Sequence, residues 1–126
     1  KVINFNLTLN YRLIRSFEHL LKSSKDAKCL FILDKETKED IPYHIPYSVS
    51  KVGLEKMISI WAKEVSKDNI NIHYCFAPRM NTFLRKTIIP GLDESDCNNP
   101  DEISKVIIEN LLKPNEKEKN FIEILC

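Results

Sequence analysis

The chain has 126 residues, enough to bury one core, and 43% of them are hydrophobic. Nineteen Lys and Arg against 18 Asp and Glu leave a net charge of +1, which argues against a domain held to nucleic acid by phosphate neutralisation. The longest apolar runs, such as residues 29–33 and 70–78, are far too short to span a bilayer, and no signal-peptide pattern opens the chain.

Taken in order, residues 7–23 carry Leu9, Leu13, Phe17, Leu20 and Leu21 at helical spacing and end in a polar Lys22-Ser23-Ser24-Lys25. Residues 29–33 read as a buried strand, followed by a polar stretch over 34–40. A second helix is predicted over 46–66, where Val49, Val52, Met57, Ile60, Trp61 and Val65 cover a broad face suited to packing on two sides. Residues 70–76 form a second strand and 78–99 an irregular segment. Pro100, Asp101 and Glu102 open a third helix with carboxylates in its first turn, and Pro114 stops it. The Lys/Glu run over 115–119 reads as a solvated loop, and 121–125 as a last strand.

Helices alternating with continuous apolar strands are the signature of an α/β fold with a parallel sheet. Three strands are few for that architecture. The chain also opens at Lys1, with no Met, and enters a helical pattern almost at once. It is therefore expected to be one partial Rossmann-like domain over 1–126, the later half of a doubly wound parallel sheet. Only two glycines occur, Gly53 and Gly91, where ordinary usage of roughly 7% would give about nine. Any glycine-rich nucleotide loop is thus expected elsewhere. Cys29, Cys75, Cys97 and Cys126 share no metal-ligand spacing, so no metal site is expected, and a reducing compartment (cytoplasm or an organelle matrix) is.

The peptide that carries chemistry is Tyr47-Ser48-Val49-Ser50-Lys51. Tyr and Lys four residues apart project from one helix face, and an ammonium there is expected to lower the phenol pKa from about 10 toward the working pH. Tyr47 then becomes a general acid able to protonate an atom that receives hydride. The bare spacing has a simpler reading, two solvated neighbours, and the surroundings decide. The run continues through Val52-Gly53-Leu54 to Trp61-Ala62-Lys63-Glu64-Val65, and Ala77-Pro78 ends the following strand. Upstream stand Asn6-Leu7-Thr8, Tyr11 and Leu20-Leu21.

Together these segments resemble the catalytic half of short-chain dehydrogenases/reductases, in the same order along nearly the whole chain. The resemblance implies a Tyr proton donor at Tyr47, a Lys at Lys51 that also binds the nicotinamide ribose, and an Asn holding a water of a proton relay. Asn6 fits that last role by its distances to Tyr11 and Leu20, with Asn4 as its rival. The cofactor implied is NADP(H). Partners implied are a small-molecule substrate and, through helices beginning near Leu7 and Pro46, a homo-oligomer or larger complex.

The usual family member has a Ser thirteen residues before the Tyr, and here that place holds Asp34. Pteridine reductases have Asp there, followed by a Pro-containing loop, and Ile32-Leu33-Asp34 with Ile41-Pro42-Tyr43-His44-Ile45-Pro46-Tyr47 resembles that version. A carboxyl suits an N–H-rich pterin edge where a Ser hydroxyl suits a carbonyl. The alternative for Asp34 is a strand-end residue capping a nearby N–H.

After the second strand the resemblance weakens. The family usually continues Pro-Gly with a Thr a few residues on, and here the run is Pro78-Arg79-Met80-Asn81-Thr82. The missing glycine would have let the backbone approach the nicotinamide. Pro78 and Thr82 remain candidate cofactor contacts beside Tyr47 and Lys51, and Arg79 either meets a phosphate or is solvated. His44 is a candidate pocket residue, His19 is expected on a solvated face, and His73 is expected as a satisfied residue of the sheet. Two functions stay open: an NADPH-dependent reductase acting on a pterin or similar C=N or C=O bond, or a degenerate reductase serving as a non-catalytic subunit.

Overall fold

A computed structural model of the chain describes residues 1–88, 91, 94–114 and 120–126. A π-helical turn, Asn4–Thr8, leads into α1 (Leu9–Ser23), and then come β1 (Ala27–Asp34), a 3-10 turn (Lys35–Lys38) and α2 (Ile45–Glu64). The chain continues through β2 (Ile70–Ala77), α3 (Phe83–Ile88), a second 3-10 turn (Glu94–Asp96), α4 (Pro100–Leu112) and β3 (Phe121–Ile124). The solvated loop expected over 115–119 lies outside the described residues.

Each predicted helix and strand is present. Asn99 caps α4 by accepting from the Asp101 N–H at 2.9 Å, with Pro100 in the first turn, where its missing N–H costs nothing. The segment expected to be irregular, 78–99, holds α3 instead, begun where the Thr82 hydroxyl accepts from the Arg85 N–H. That helix was hidden because it has no apolar stripe to bury: Phe83, Leu84 and Ile88 are all exposed.

The three strands form one parallel sheet in the order β1-β2-β3. β1 and β2 pair without stagger from Ala27 opposite Ile70 to Asp34 opposite Ala77, so their C-terminal ends lie side by side. One face of the sheet, with Leu33, Ile70 and Ile72, packs under Leu54, Ile58, Trp61 and Ala62 of α2 and Ile14 of α1. Trp61 and Met57 belong to this core, and Phe31 meets the Trp61 ring edge-on at 6.3 Å. The other face places Cys75 and Ile124 against Ile103 and Ile107 of α4. Helices thus cover both faces, as continuous apolar strands require.

His73 departs from expectation. It is 2% exposed, yet among the described residues neither ring nitrogen has a hydrogen-bond partner. Burial, with the Lys28 ammonium adding to it, holds the ring below its ordinary pKa and so neutral.

Gly53 has a packing reason. A Cβ there would come within 3.2 Å of the Leu7 side chain, so its absence lets the π-helical turn settle on α2. α1 buries only Ile14, and Leu9, Tyr11, Leu13, Phe17 and Leu20 remain exposed. Between α1 and β1 lies an open apolar groove of ≈ 510 Å³ that includes Phe17, Leu20, Phe31 and Lys51. No helix among the described residues is long and apolar enough to cross a membrane.

Candidate functional site

Parallel strands with helical crossovers bring loops together at their C-terminal ends, where open α/β sheets hold their ligand crevices. Asp34 is the last residue of β1, beside Ala77 at the end of β2. The chain then turns through 35–38 and enters α2, with Pro46 in its first turn and Tyr47 immediately after it. Tyr43 takes a left-handed φ of 67° in the approach, uncommon for a side-chain-bearing residue and reversing the chain into α2.

That path brings two expected site residues into direct contact. The Tyr47 hydroxyl donates to Asp34 Oδ2 at 2.6 Å. The other carboxylate oxygen, Oδ1, accepts from the Glu36 N–H at 2.9 Å, and the Asp34 carbonyl accepts from the Thr37 hydroxyl at 2.6 Å. One carboxylate oxygen of Asp34 thus meets Tyr47, and the other caps the turn that follows the strand. Ser50, fully buried, ties its hydroxyl to the Tyr47 carbonyl at 2.7 Å and steadies the first turn of α2.

Lys51 lies one turn on, and its Nζ donates to the Ile32 carbonyl at 2.9 Å. Burial holds its pKa below the ordinary value, with the Asp34 carboxylate opposing that shift. The Tyr47 phenol is pushed up from its ordinary value, first by burial and then by its hydrogen bond to Asp34. The lowering expected from the Tyr/Lys spacing is thus reversed. Sharing a helix face does not pair the two head groups: among the described residues the ammonium donates to a strand carbonyl and the phenol to a carboxylate.

This has a measurable consequence. A proton held more tightly in the native than in the unfolded state stabilises the fold fully below about pH 10 and loses that contribution as the pH rises beyond it. The phenolate absorbance difference between the parent and Tyr47→Phe should develop only well above pH 10. A difference complete by that pH would contradict the Tyr47–Asp34 contact.

Asn6 lies in the π-helical turn, half-buried, and its carbonyl accepts from the Asn10 side chain at 2.9 Å. Its rival Asn4 is exposed and accepts from the Thr8 hydroxyl at 3.5 Å. Leu7 against Gly53 brings this turn onto α2, but among the described residues no hydrogen bond joins the Asn6 side chain to Tyr47, Lys51 or Asp34. His44 is the half-buried residue before α2, and its carbonyl accepts from the Ser48 N–H. Pro78 follows β2 directly, and Thr82 starts α3.

Sequence reasoning missed a cluster on the same rim. Glu36 accepts from Arg79 Nε at 2.7 Å and from both Nη atoms of Arg85, at 2.7 and 3.0 Å. Those guanidinium groups, Arg85 first, hold the Glu36 carboxyl below its ordinary range. Arg79 is therefore not simply solvated. Nothing in the spacing of residues 36, 79 and 85 announces this, because a 3-10 turn, the segment after β2 and α3 contribute one residue each.

Cys29, Cys75, Cys97 and Cys126 are free thiols, and burial pushes Cys29 up to about 11. Among the described residues no group of three or more His, Cys, Asp or Glu gathers in a way that would hold a metal ion.

No protein-family model matches the sequence, and no curated protein matches it. Solved structures do match by shape. A short-chain dehydrogenase from Salmonella enterica serovar Typhi superposes with a TM-score of 0.83 at 16% identity, covering 98% of this chain and 51% of that one. An alcohol dehydrogenase from the archaeon Thermococcus sibiricus, solved with 5-hydroxy-NADP, gives 0.79 at 20% identity over 98% and 51%. A short-chain dehydrogenase from Burkholderia cenocepacia, solved with NADP, gives 0.75 at 14% over 97% and 47%. The chain thus spans about half the length of the structures it matches, and its three parallel strands with alternating helices have the Rossmann-like fold of short-chain dehydrogenases.

Proposed function

We propose that the chain is the catalytic half of an NADP(H)-dependent short-chain dehydrogenase/reductase, of the pteridine-reductase kind, with Tyr47 as proton donor to a pterin C=N or similar bond. The observation that carries this reading is the Tyr47 hydroxyl held 2.6 Å from Asp34 at the C-terminal end of β1, with Lys51 one turn away. Bound NADPH would supply the hydride, the two electrons of the reduction. The protein supplies the proton, which leaves Tyr47 Oη for the atom that gains negative charge.

Each neighbour has a part in that transfer. A phenol pushed above its ordinary pKa is a weaker acid, so Tyr47 would give up its proton only as negative charge builds on the substrate atom. Asp34 fixes the hydroxyl, and its carboxylate, with lone pairs to spare, can also accept from an N–H-rich ring edge. Lys51 would hold the nicotinamide ribose, because its half-buried ammonium uses one donor on Ile32 and keeps two. Pro78 and Thr82 border the same rim, and Asn6 stands by for a water of the relay. These residues suit the nicotinamide end of a dinucleotide. Neither Gly53, inside α2, nor Gly91 stands where a pyrophosphate-binding turn would leave a strand.

The exposed apolar row of α1, with Val49, Val52 and Ile60 of α2, supports association as a homo-oligomer or within a larger complex. A second reading, a non-catalytic relative kept as a subunit, draws on Arg79 standing where a glycine would admit the nicotinamide. The test is NADPH consumption by the full-length protein with a dihydropterin and a set of carbonyl compounds. Turnover of the pterin supports the first reading, and failure to bind NADPH supports the second.

Lys51→Met should weaken NADPH binding by about 10- to 100-fold, the loss of hydrogen bonds from a charged donor. Fluorescence titration measures it, and an unchanged dissociation constant would remove Lys51 from the cofactor site.

A further inference from the structure

We infer that Arg79 and Arg85, bridged by Glu36, form an anion-recognition site for a carboxylate borne by the substrate. This rests on the reductase reading for the identity of the ligand as substrate, and on the geometry of the cluster for its charge. Two guanidinium groups bond the Glu36 carboxylate, and the Asp34 carboxylate acts on Arg85 from farther off. The donors left over are those of Arg79. Its side chain is 41% exposed, and among the described residues only its Nε is engaged, so the outer nitrogens keep their donors. Arg85 is 16% exposed and bonds Glu36 through both Nη atoms, which makes it the fixed half of the pair.

The cluster is joined to the proton donor through few atoms. Glu36 holds the arginines with its side chain and Asp34 Oδ1 with its N–H, and Asp34 Oδ2 holds Tyr47. Arg85 and Glu36 lie near enough to act electrostatically on the Tyr47 phenol. A planar guanidinium with free, parallel donors suits a carboxylate, which it can grip with two hydrogen bonds, better than a neutral carbonyl. A substrate anchored there by its carboxylate would present its reducible bond toward Tyr47. Arg79 is accordingly a specificity-determining residue.

The experiment follows the arginine Nε–H resonances of the full-length protein by NMR during titration with benzoate and, separately, with benzamide. The site predicts saturable shifts at Arg79 and Arg85 with benzoate, at an affinity at least about tenfold above that for benzamide. Arg79→Met should erase that preference. In turnover, a substrate bearing a carboxylate should outpace its methyl ester in the parent and lose that lead in Arg79→Met. Equal response to benzoate and benzamide, or no response, overturns the proposal. So does a loss of NADPH affinity in Arg79→Met with the benzoate preference intact, which would assign the arginines to cofactor phosphate. Failure of the reductase reading registers separately, as absent NADPH binding while the benzoate shifts persist.

Discussion

Tyr47→Phe should lower turnover of the full-length enzyme by about 10²- to 10⁴-fold, the usual worth of a positioned general acid. The substitution removes one oxygen and keeps the ring. It deletes the proton proposed to reach the substrate and the 2.6 Å hydrogen bond to Asp34. Asp34 keeps the Glu36 N–H, and Ser50 still ties its hydroxyl to the backbone of residue 47, so the first turn of α2 should persist. NADPH affinity should change by less than about twofold, because Lys51 is proposed to carry most of the hold on the ribose. The loss should therefore fall on kcat. Retained turnover would sink the proton-donor role. A parallel fall in NADPH affinity would mean that Tyr47 positions cofactor instead.

The second large effect concerns the scaffold. Ile58→Ala should cost about 2–5 kcal/mol of stability, the range for truncating a buried aliphatic side chain. Ile58 is wholly buried on the face of α2 that meets Leu33, Ile70 and Ile72 of the sheet. Against the roughly 5–15 kcal/mol that holds an ordinary domain, such a loss is large. Ile60→Ala, two residues on and 48% exposed, should cost far less, because its side chain is already half in water. Urea unfolding of the two variants measures the contrast. Equal midpoints would mean that α2 does not present the face assigned to it, and with it would go the placement of Tyr47 and Lys51.

Much of this arrangement was legible in the residues, for identifiable reasons. Strands buried on both faces leave continuous apolar runs such as residues 70–77, and α4 announces itself through Asn99, Pro100 and the two carboxylates that follow. That Asp34 and Tyr47 lie near one another was expected from comparing one spacing with a known family's, and the structure adds the direct hydrogen bond between them. What escaped were features that depend on where a flexible side chain ends. Lys51 was expected to act on Tyr47, and its four-carbon stem carries the ammonium to Ile32 instead. The Glu36–Arg79–Arg85 cluster joins segments 43 and 49 residues apart, a separation across which no local pattern speaks. α3 stayed hidden because a six-residue helix with an exposed apolar side has no periodicity to read.

Backbone hydrogen exchange of the full-length protein, with and without NADPH, tests the central claim most directly. The account predicts NADPH-dependent protection at the end of β1, in the first turns of α2 around Tyr47 and Lys51, and in the segment just after Pro78. Protection confined to other parts of the protein, or none at saturating NADPH, would contradict the assignment of Asp34, Tyr47 and Lys51 to a reductase active site.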